Sequence, residues 1–399
     1  MPSFSTLSCR LAAALAAALA AALFALDAGA AERYKIVAYY FPPPPGRPAY
    51  SPADIDARLV THINYAFANI RDGEVVPGDD KADTGPDGNF ARLRALRRKY
   101  PHLRTLISVG GWSWSKDFSD VAATAQARAR FAASAVAFMR AHGFDGVDID
   151  WEFPVAGGAE GNLHRPEDRR NFTLLLQALR RQLDAEGRKR KRHYLLTIAA
   201  GNNASFIANT EMREVARIVD WTNVMTYDFN GPWSRYAGHN APLHDDPAIA
   251  RADADPRFNI ASVVDMMLAA GVPARRLVLG MPMYGYSWKG CGSTHRGQHQ
   301  DCSGKGRGSA EEGALEFDDI DDALVNRQGF VRHWNDAAKV PYLFNAETGE
   351  FISYDDTESF DHKIRWLKSR GLGGAMFWHI AADRRAVLQK VLAAGLLGR

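Results

Sequence analysis

Asp148, Asp150 and Glu152 alternate along Phe144-Asp145-Gly146-Val147-Asp148-Ile149-Asp150-Trp151-Glu152-Phe153-Pro154. Side chains at i, i+2 and i+4 of a strand share one face, with roughly 6.6 Å of rise between successive ones. The three carboxyls therefore project together. Like charges crowded in a low-dielectric site raise one another's pKa, so at least one carboxyl keeps its proton at neutral pH. A carboxyl that still holds a proton there is what a general acid requires. Glu152 comes last, nearest the C-terminal mouth where β/α barrels place catalytic groups. It is assigned as the proton donor, with Asp150 and Asp148 behind it. A calcium or magnesium site is the other reading of clustered carboxylates, but those ions favour ligands from flexible loops or several elements. Asp145 precedes the inward ladder and reads as structural.

Such a ladder needs a sheet that turns one face inward. Short β-branched or aromatic runs alternate with amphipathic segments, the pattern of parallel strands joined by crossover helices. Eight runs can be counted: Tyr34 to Tyr40, His62 to Ala68, Leu103 to Gly110, Gly146 to Glu152, Tyr194 to Gly201, Trp221 to Phe229, Leu277 to Tyr284 and Gly373 to Ile380. Eight strands close a TIM (β/α)8 barrel, the expected α/β fold of residues 31–399. Ser51-Pro52 places an N-cap before a helix-opening proline, and the segment Val121 to His142 ends on a C′ glycine, Gly143. Pro166 opens a helix whose Phe172, Leu175, Leu176, Leu179 and Leu183 recur at helical spacing and which ends near Gly187. The last gap between runs, Tyr284 to Gly373, is far longer than the rest. Asp356 to Arg370 accounts for the seventh helix, and the remainder is too long for a bare loop. Tyr342-Leu343-Phe344 and Phe351-Ile352-Ser353-Tyr354 read as strands within it, so a small α+β insertion is expected at 287–354, between barrel strands seven and eight.

Residues 1–30 read as an export signal, removed near Ala30. Arg10 supplies a positive start, Leu11 to Leu26 an apolar stretch, and Ala28-Gly29-Ala30 a small-residue cleavage site. The stretch falls short of the roughly 20 residues a spanning helix needs, so the expected product is soluble and secreted, extracellular or periplasmic. A net charge of +3 is too weak to argue for nucleic acid, and the basic run Gly187 to His193 reads as a solvated loop. Cys291 and Cys302 would pair as a disulfide in an oxidising compartment. The alternative, zinc held with His295 and His299, matches known zinc spacings poorly. No metal or cofactor is expected, and a monomer is.

The sequence also resembles the family 18 glycoside hydrolases, the chitinase family, across all eight runs. Five segments in order carry the likeness: Ser108-Val109-Gly110-Gly111-Trp112, the acidic ladder, Met225-Thr226-Tyr227-Asp228-Phe229, Gly238-His239-Asn240-Ala241-Pro242-Leu243 and Gly373-Gly374-Ala375-Met376-Phe377-Trp378. The resemblance implies retaining hydrolysis in which the substrate's own 2-acetamido oxygen is the nucleophile. It gives Glu152 the acid/base role and has Asp150 orient the acetamido group. Asp148 would share a proton with Asp150, and Tyr227 would donate to the acetamido oxygen. Asp228 and Met225 would line the subsite of the reacting sugar, with Gly111 beside it. Sugar faces are apolar and stack on flat rings, so Trp378 is the expected floor, and Tyr284, Trp112, Trp233 and Trp288 could continue the platform.

Two positions depart from the family pattern. Tyr286 stands where relatives often carry arginine, and His379 where they often carry an acid. Both bear on finer specificity rather than on the reaction. The implied substrate is chitin or its oligosaccharides, bound by the cleft itself, since no Ser/Thr/Pro linker to a binding module stands out. An endo-β-N-acetylglucosaminidase acting on N-glycans uses the same chemistry. A non-catalytic lectin normally lacks the terminal glutamate, and Glu152 is present.

Overall fold

The computed structural model describes residues 34–251, 255–309 and 311–399; the expected export signal lies outside them. The strands in chain order begin with β1 (Lys35–Tyr40), β2 (His62–Arg71), β3 (Glu74–Pro77), β4 (Arg104–Gly110), β5 (Gly146–Asp150), β6 (Leu195–Ala200), β7 (Trp221–Val224) and β8 (Leu277–Pro282). A second group, β9 (Tyr284–Lys289), β10 (Gly304–Lys305), β11 (Ala314–Glu316), β12 (Phe330–Asn335), β13 (Val340–Asn345) and β14 (Glu350–Ser353), precedes β15 (Gly374–Trp378). Eight of them pair in parallel as β1-β2-β4-β5-β6-β7-β8-β15, and β15 pairs back with β1 to close the barrel. Each of the eight runs read from the sequence supplies one barrel strand. β3 is an added antiparallel partner of β2. Their hairpin turns at Asp72 and Gly73, both with positive φ, as a two-residue turn of matching twist requires.

Five strands stop short of the expected ends, β6 at Ala200 and β15 at Trp378 among them. β5 ends at Asp150, which leaves Glu152 beyond the hydrogen-bonded ladder. β7 ends at Val224 rather than Phe229. The Thr226 hydroxyl then turns to the Gly280 carbonyl (2.7 Å), and Asp228 adopts a left-handed φ of 60° while its N–H donates to Asn240 Oδ1 (2.7 Å). β8 ends at Pro282, and β9, starting at Tyr284, belongs to a second sheet.

Helix boundaries were partly legible. The helix Ala125–His142 ends on Gly143 in the left-handed conformation, but it starts after a break at Thr124, whose side chain caps Ala127. Ser51 forms a capping box with Asp54 over a single 3-10 turn, Pro52–Asp54, rather than a full helix. The helix expected from Pro166 spans Asp168–Arg190. Much of the basic run is therefore helical, which corrects the loop reading. Cations suit a helix C-terminus, and beyond it Arg192 pairs with the buried Asp145 and His193 contacts Asp220. Among the described residues no helix is long and apolar enough to cross a membrane.

The second sheet runs β10-β9-β14-β13-β12, with β11 on β9. It begins at Tyr284, three residues before the expected insertion boundary. One core cluster gathers Trp288, Tyr342, Phe344 and Phe351 with Cys291 and Cys302, which are disulfide-bonded. That bond uses both sulfurs, so neither is left as a thiolate for zinc. The other cluster holds Leu315, Ile320, Phe330, Leu343 and Ile352. Arg47, in the loop after β1, and Arg384, after β15, both pair with Glu316 at the end of β11, tying the second sheet to the barrel.

Where the chain returns to the barrel, Lys363 on the helix Thr357–Ser369 pairs with Asp355; their side chains are 0% and 1% exposed. Burial pulls the Lys363 ammonium below its ordinary pKa, and the Asp355 charge opposes that shift. Removing one partner strands a buried charge, which costs about 3–5 kcal/mol. Lys363→Met is expected to lose about that much in urea unfolding, and Lys363→Met with Asp355→Leu to recover most of it.

Candidate active site

Asp148 lies midway along β5, in register with Ser108 on β4 and Thr197 on β6. Ser108 Oγ donates to its Oδ2 at 2.8 Å, and Thr197 Oγ1 donates to Oδ1. From further round the barrel, Tyr39 Oη reaches Oδ2 (2.8 Å) and Asn223 Nδ2 reaches Oδ1 (3.4 Å). Burial raises the Asp148 pKa, while all four donors pull it back.

Asp150 sits one step nearer the mouth in a different setting. Its register partner is Gly110, which has no side chain to offer, and its Oδ1 is buried without a hydrogen-bond partner. A Cβ on Gly110 (φ 106°) would lie 2.3 Å from the Asp150 carbonyl, so glycine is required for the strands to pass. Burial, then the charges of Glu152 and Asp148, hold the Asp150 carboxyl well above the usual carboxylate range. Of the two buried aspartates, Asp150 is the better holder of a proton.

Glu152, half-buried, leaves the ladder with its backbone fixed at both ends. Its N–H donates to Ser115 Oγ (2.9 Å), and its carbonyl accepts from Asn162 Nδ2 (2.7 Å). Ser115 Oγ also lies within hydrogen-bond reach of the Gly111 (2.9 Å) and Asp150 (3.1 Å) carbonyls. Burial and then the Asp228 charge push the Glu152 pKa up to about 8. Ser115 carried no signal in the sequence, because a buried serine that fixes backbone looks like any loop serine.

β5 and β15 are the fourth and eighth strands around the barrel and so face each other across its axis. Trp378 ends β15 half-exposed, stacked on Phe67 (5.6 Å, 19°) and flanked by Tyr39 (5.8 Å) and Phe41 (5.7 Å). Phe67 reaches it from a register shift in β2 between Ala66 and Ala68, a bulge that re-aims one side chain. The bonds Ala66–Phe67, Glu152–Phe153 and Trp378–His379 are cis.

The segment after β7 forms a third wall. Tyr227 is buried, and its hydroxyl contacts the Met376 sulfur at 3.8 Å, a weak acceptor that a bound oxygen would displace. Burial and the neighbouring carboxylates hold this phenol protonated, hence a donor. Asp228 opens to the cleft and accepts from Tyr284 Oη (2.5 Å) and from Tyr286. Met225 is half-buried beside them.

The remaining candidates separate by exposure. Trp112, after β4, is 55% exposed and Trp233, after β7, 64%, both at the end of the barrel that carries Glu152. Trp288 is 0% exposed, with its Nε1 donating to the Ser234 carbonyl (2.9 Å). It is a core residue of the second sheet, which corrects its reading as a platform. Gly111 (φ 76°) is buried, its N–H donates to the Asp150 carbonyl (2.8 Å), and a Cβ there would lie 2.6 Å from the Phe67 ring. Its place in the site is backbone packing beneath the cleft.

Comparison with known proteins bears on the same residues. The chain matches the description "Glycosyl hydrolases family 18" over residues 35–383. It is 47% identical to Chitinase A1 of Niallia circulans over 426 residues, covering 94% of this chain and 60% of that protein, so it spans about three-fifths of that relative's length. Chitinase ChiA74 from Bacillus thuringiensis superposes with a TM-score of 0.87 at 40% identity, covering 92% of this chain and 70% of that one. A family 18 N-acetylglucosaminidase from Paenibacillus barengoltzii gives 0.78 at 36% identity, covering 91% of this chain and 100% of that one. The matched span runs from the first barrel strand past the last and includes the acidic ladder, the aromatic wall facing it and the second sheet: the chain belongs to the family 18 glycoside hydrolases.

Proposed function

We propose that this chain is a secreted chitinase that hydrolyses β-1,4-linked N-acetylglucosamine polymers with retention, using Glu152 as general acid and base. The observation that carries the reading is the difference between the facing walls. Asp150 and Glu152 hold protons on one side, and the end of the facing strand presents the Trp378 ring rather than a carboxylate. A nucleophile carried by the substrate suits that pairing, and a 2-acetamido group provides one.

In the first step the acetamido oxygen bonds to the anomeric carbon as the glycosidic C–O bond breaks, and the Glu152 proton passes to the departing oxygen. An oxazolinium ion remains on the enzyme. Asp150, with its unpartnered oxygen, faces the acetamido N–H and the positive charge that develops there. Tyr227 donates to the acetamido oxygen and holds it in line, a positioning effect. Glu152, now a carboxylate, takes a proton from water as that water attacks the same carbon, restoring the acetamido group. Trp378 lies beneath the reacting sugar, and Trp112 and Trp233 extend the stacking surface to either side. The chitinases to which the chain is similar support chitin as the substrate. The Arg10, Leu11–Leu26 and Ala28–Ala30 pattern together with the disulfide supports export.

A positioned proton donor contributes about 10²–10⁴-fold. Glu152→Gln is expected to lower kcat on chitin oligosaccharides by at least that factor, with products identified by mass; undiminished cleavage would overturn the assignment. Assaying a high-mannose glycopeptide beside them separates the substrate classes, since cleavage of the glycopeptide alone would favour N-glycans.

The raised pKa of Glu152 also has a consequence for stability. Between its ordinary value of 4.5 and about 8 the folded protein keeps a proton that the unfolded chain releases. Stability from this group therefore falls as pH rises through that window. Glutamine has no proton to lose. In urea unfolding, the stability of Glu152→Gln relative to wild type is expected to increase from pH 5 to pH 8 and then to level off. A pH-independent difference would contradict the raised pKa.

A further inference from the structure

Tyr284 and Tyr286 are alternate residues of β9, so they leave the strand on one face. Their rings meet edge-on at 5.5 Å, and both hydroxyls donate to Asp228. Tyr286 has a second neighbour. Its ring lies 5.3 Å from that of Trp233 at 80°, an edge-to-face contact. The other support of this exposed indole is Gly231, where a Cβ would lie 2.1 Å from the ring. Tyr286 is thus common to an exposed stacking surface and to a carboxylate whose charge acts on the proposed acid.

We propose that Tyr286 is a positioning residue: its ring holds Trp233 upright for the sugar adjoining the reacting one, and its hydroxyl keeps Asp228 a charged acceptor beside Glu152. The inference rests on Glu152 being the general acid. The groups facing Asp228 are Tyr284 and Tyr286 from β9, Tyr227 from its own segment and Glu152 beyond β5, and Glu311 faces Tyr286. Burial raises the Asp228 pKa, and the hydrogen bonds from the two tyrosines lower it; the Asp228 charge in turn raises Glu152. Losing the Tyr286 hydroxyl therefore makes Asp228 easier to protonate and Glu152 easier to deprotonate. The alkaline limb of kcat/KM should move to lower pH.

Two variants separate the ring from the hydroxyl. Tyr286→Phe keeps the ring, so KM for a chitin hexamer should stay within about twofold of wild type while the alkaline limb falls. Tyr286→Leu removes both, and its KM for the hexamer should also rise, by roughly two- to tenfold for the loss of one aromatic contact. An unshifted limb in Tyr286→Phe, or an unchanged hexamer KM in Tyr286→Leu, overturns the proposal. So does an equal fall in kcat at every pH in both variants, which is the mark of general damage to the fold. Failure of the Glu152 reading would show separately, as undiminished cleavage by Glu152→Gln.

Discussion

A carboxylate at the centre of a barrel has to be satisfied before anything can be built above it. The effective penalty for burying such an ion is several kcal/mol, and a hydrogen bond to a charged group returns about 1.5–3 kcal/mol. One or two bonds would leave Asp148 in deficit. Four, from β1, β4, β6 and β7, offset part of it, and burial still leaves the Asp148 pKa raised. They do so only when all four strands are in the right register, because Ser108 and Thr197 must lie directly beside Asp148 and Tyr39 must reach it from across the barrel. Asp148 thus acts as a clasp on the closed barrel; the pleat of β5 then places Asp150, and Ser115 and Asn162 fix the backbone of Glu152 beyond it.

Much of this was legible because β5 follows a strict two-residue alternation. Val147, Ile149 and Trp151 are all buried on the face away from the acids, with Trp151 stacked on Phe118 at 5.4 Å and edge-on to Phe172 at 5.6 Å. Apolar residues on one face and acids on the other can be read from spacing alone. The eight strands were legible for the same reason, and so was the helix Thr357–Ser369, whose Asp356 cap stands in the sequence just before it.

What spacing could not reveal was set by backbone turns and distant partners. The segment Met225–Phe229 looks like a strand, since nothing local shows that Asp228 turns left-handed or that Asn240, twelve residues on, holds its N–H. Trp288 and Trp233 lie in similarly aromatic surroundings, yet one is the floor of the second sheet and the other stands in solvent. Only the pairing of β9 with β14 decides between them, and that pairing joins residues more than sixty positions apart. The basic run is helical as far as Arg190, and only beyond the helix does Arg192 find its buried partner, Asp145, far upstream.

The strand β5 and its continuation to Glu152 also change how charge is compensated along their length. Asp145, at the base, is paired with Arg97 and Arg192 and accepts from the Thr105 N–H. Asp148 has four neutral donors, and Asp150 has an oxygen with none. Glu152 is left with only its backbone fixed, its carboxyl free to exchange a proton with whatever enters the cleft. Full ion pairs at the top would have lowered the carboxyl pKa values and removed the proton that the proposed reaction needs. Placing strong compensation at the bottom and none at the mouth lets one strand both anchor the barrel and present a proton, and it confines the cost in stability to the residues proposed to meet the substrate.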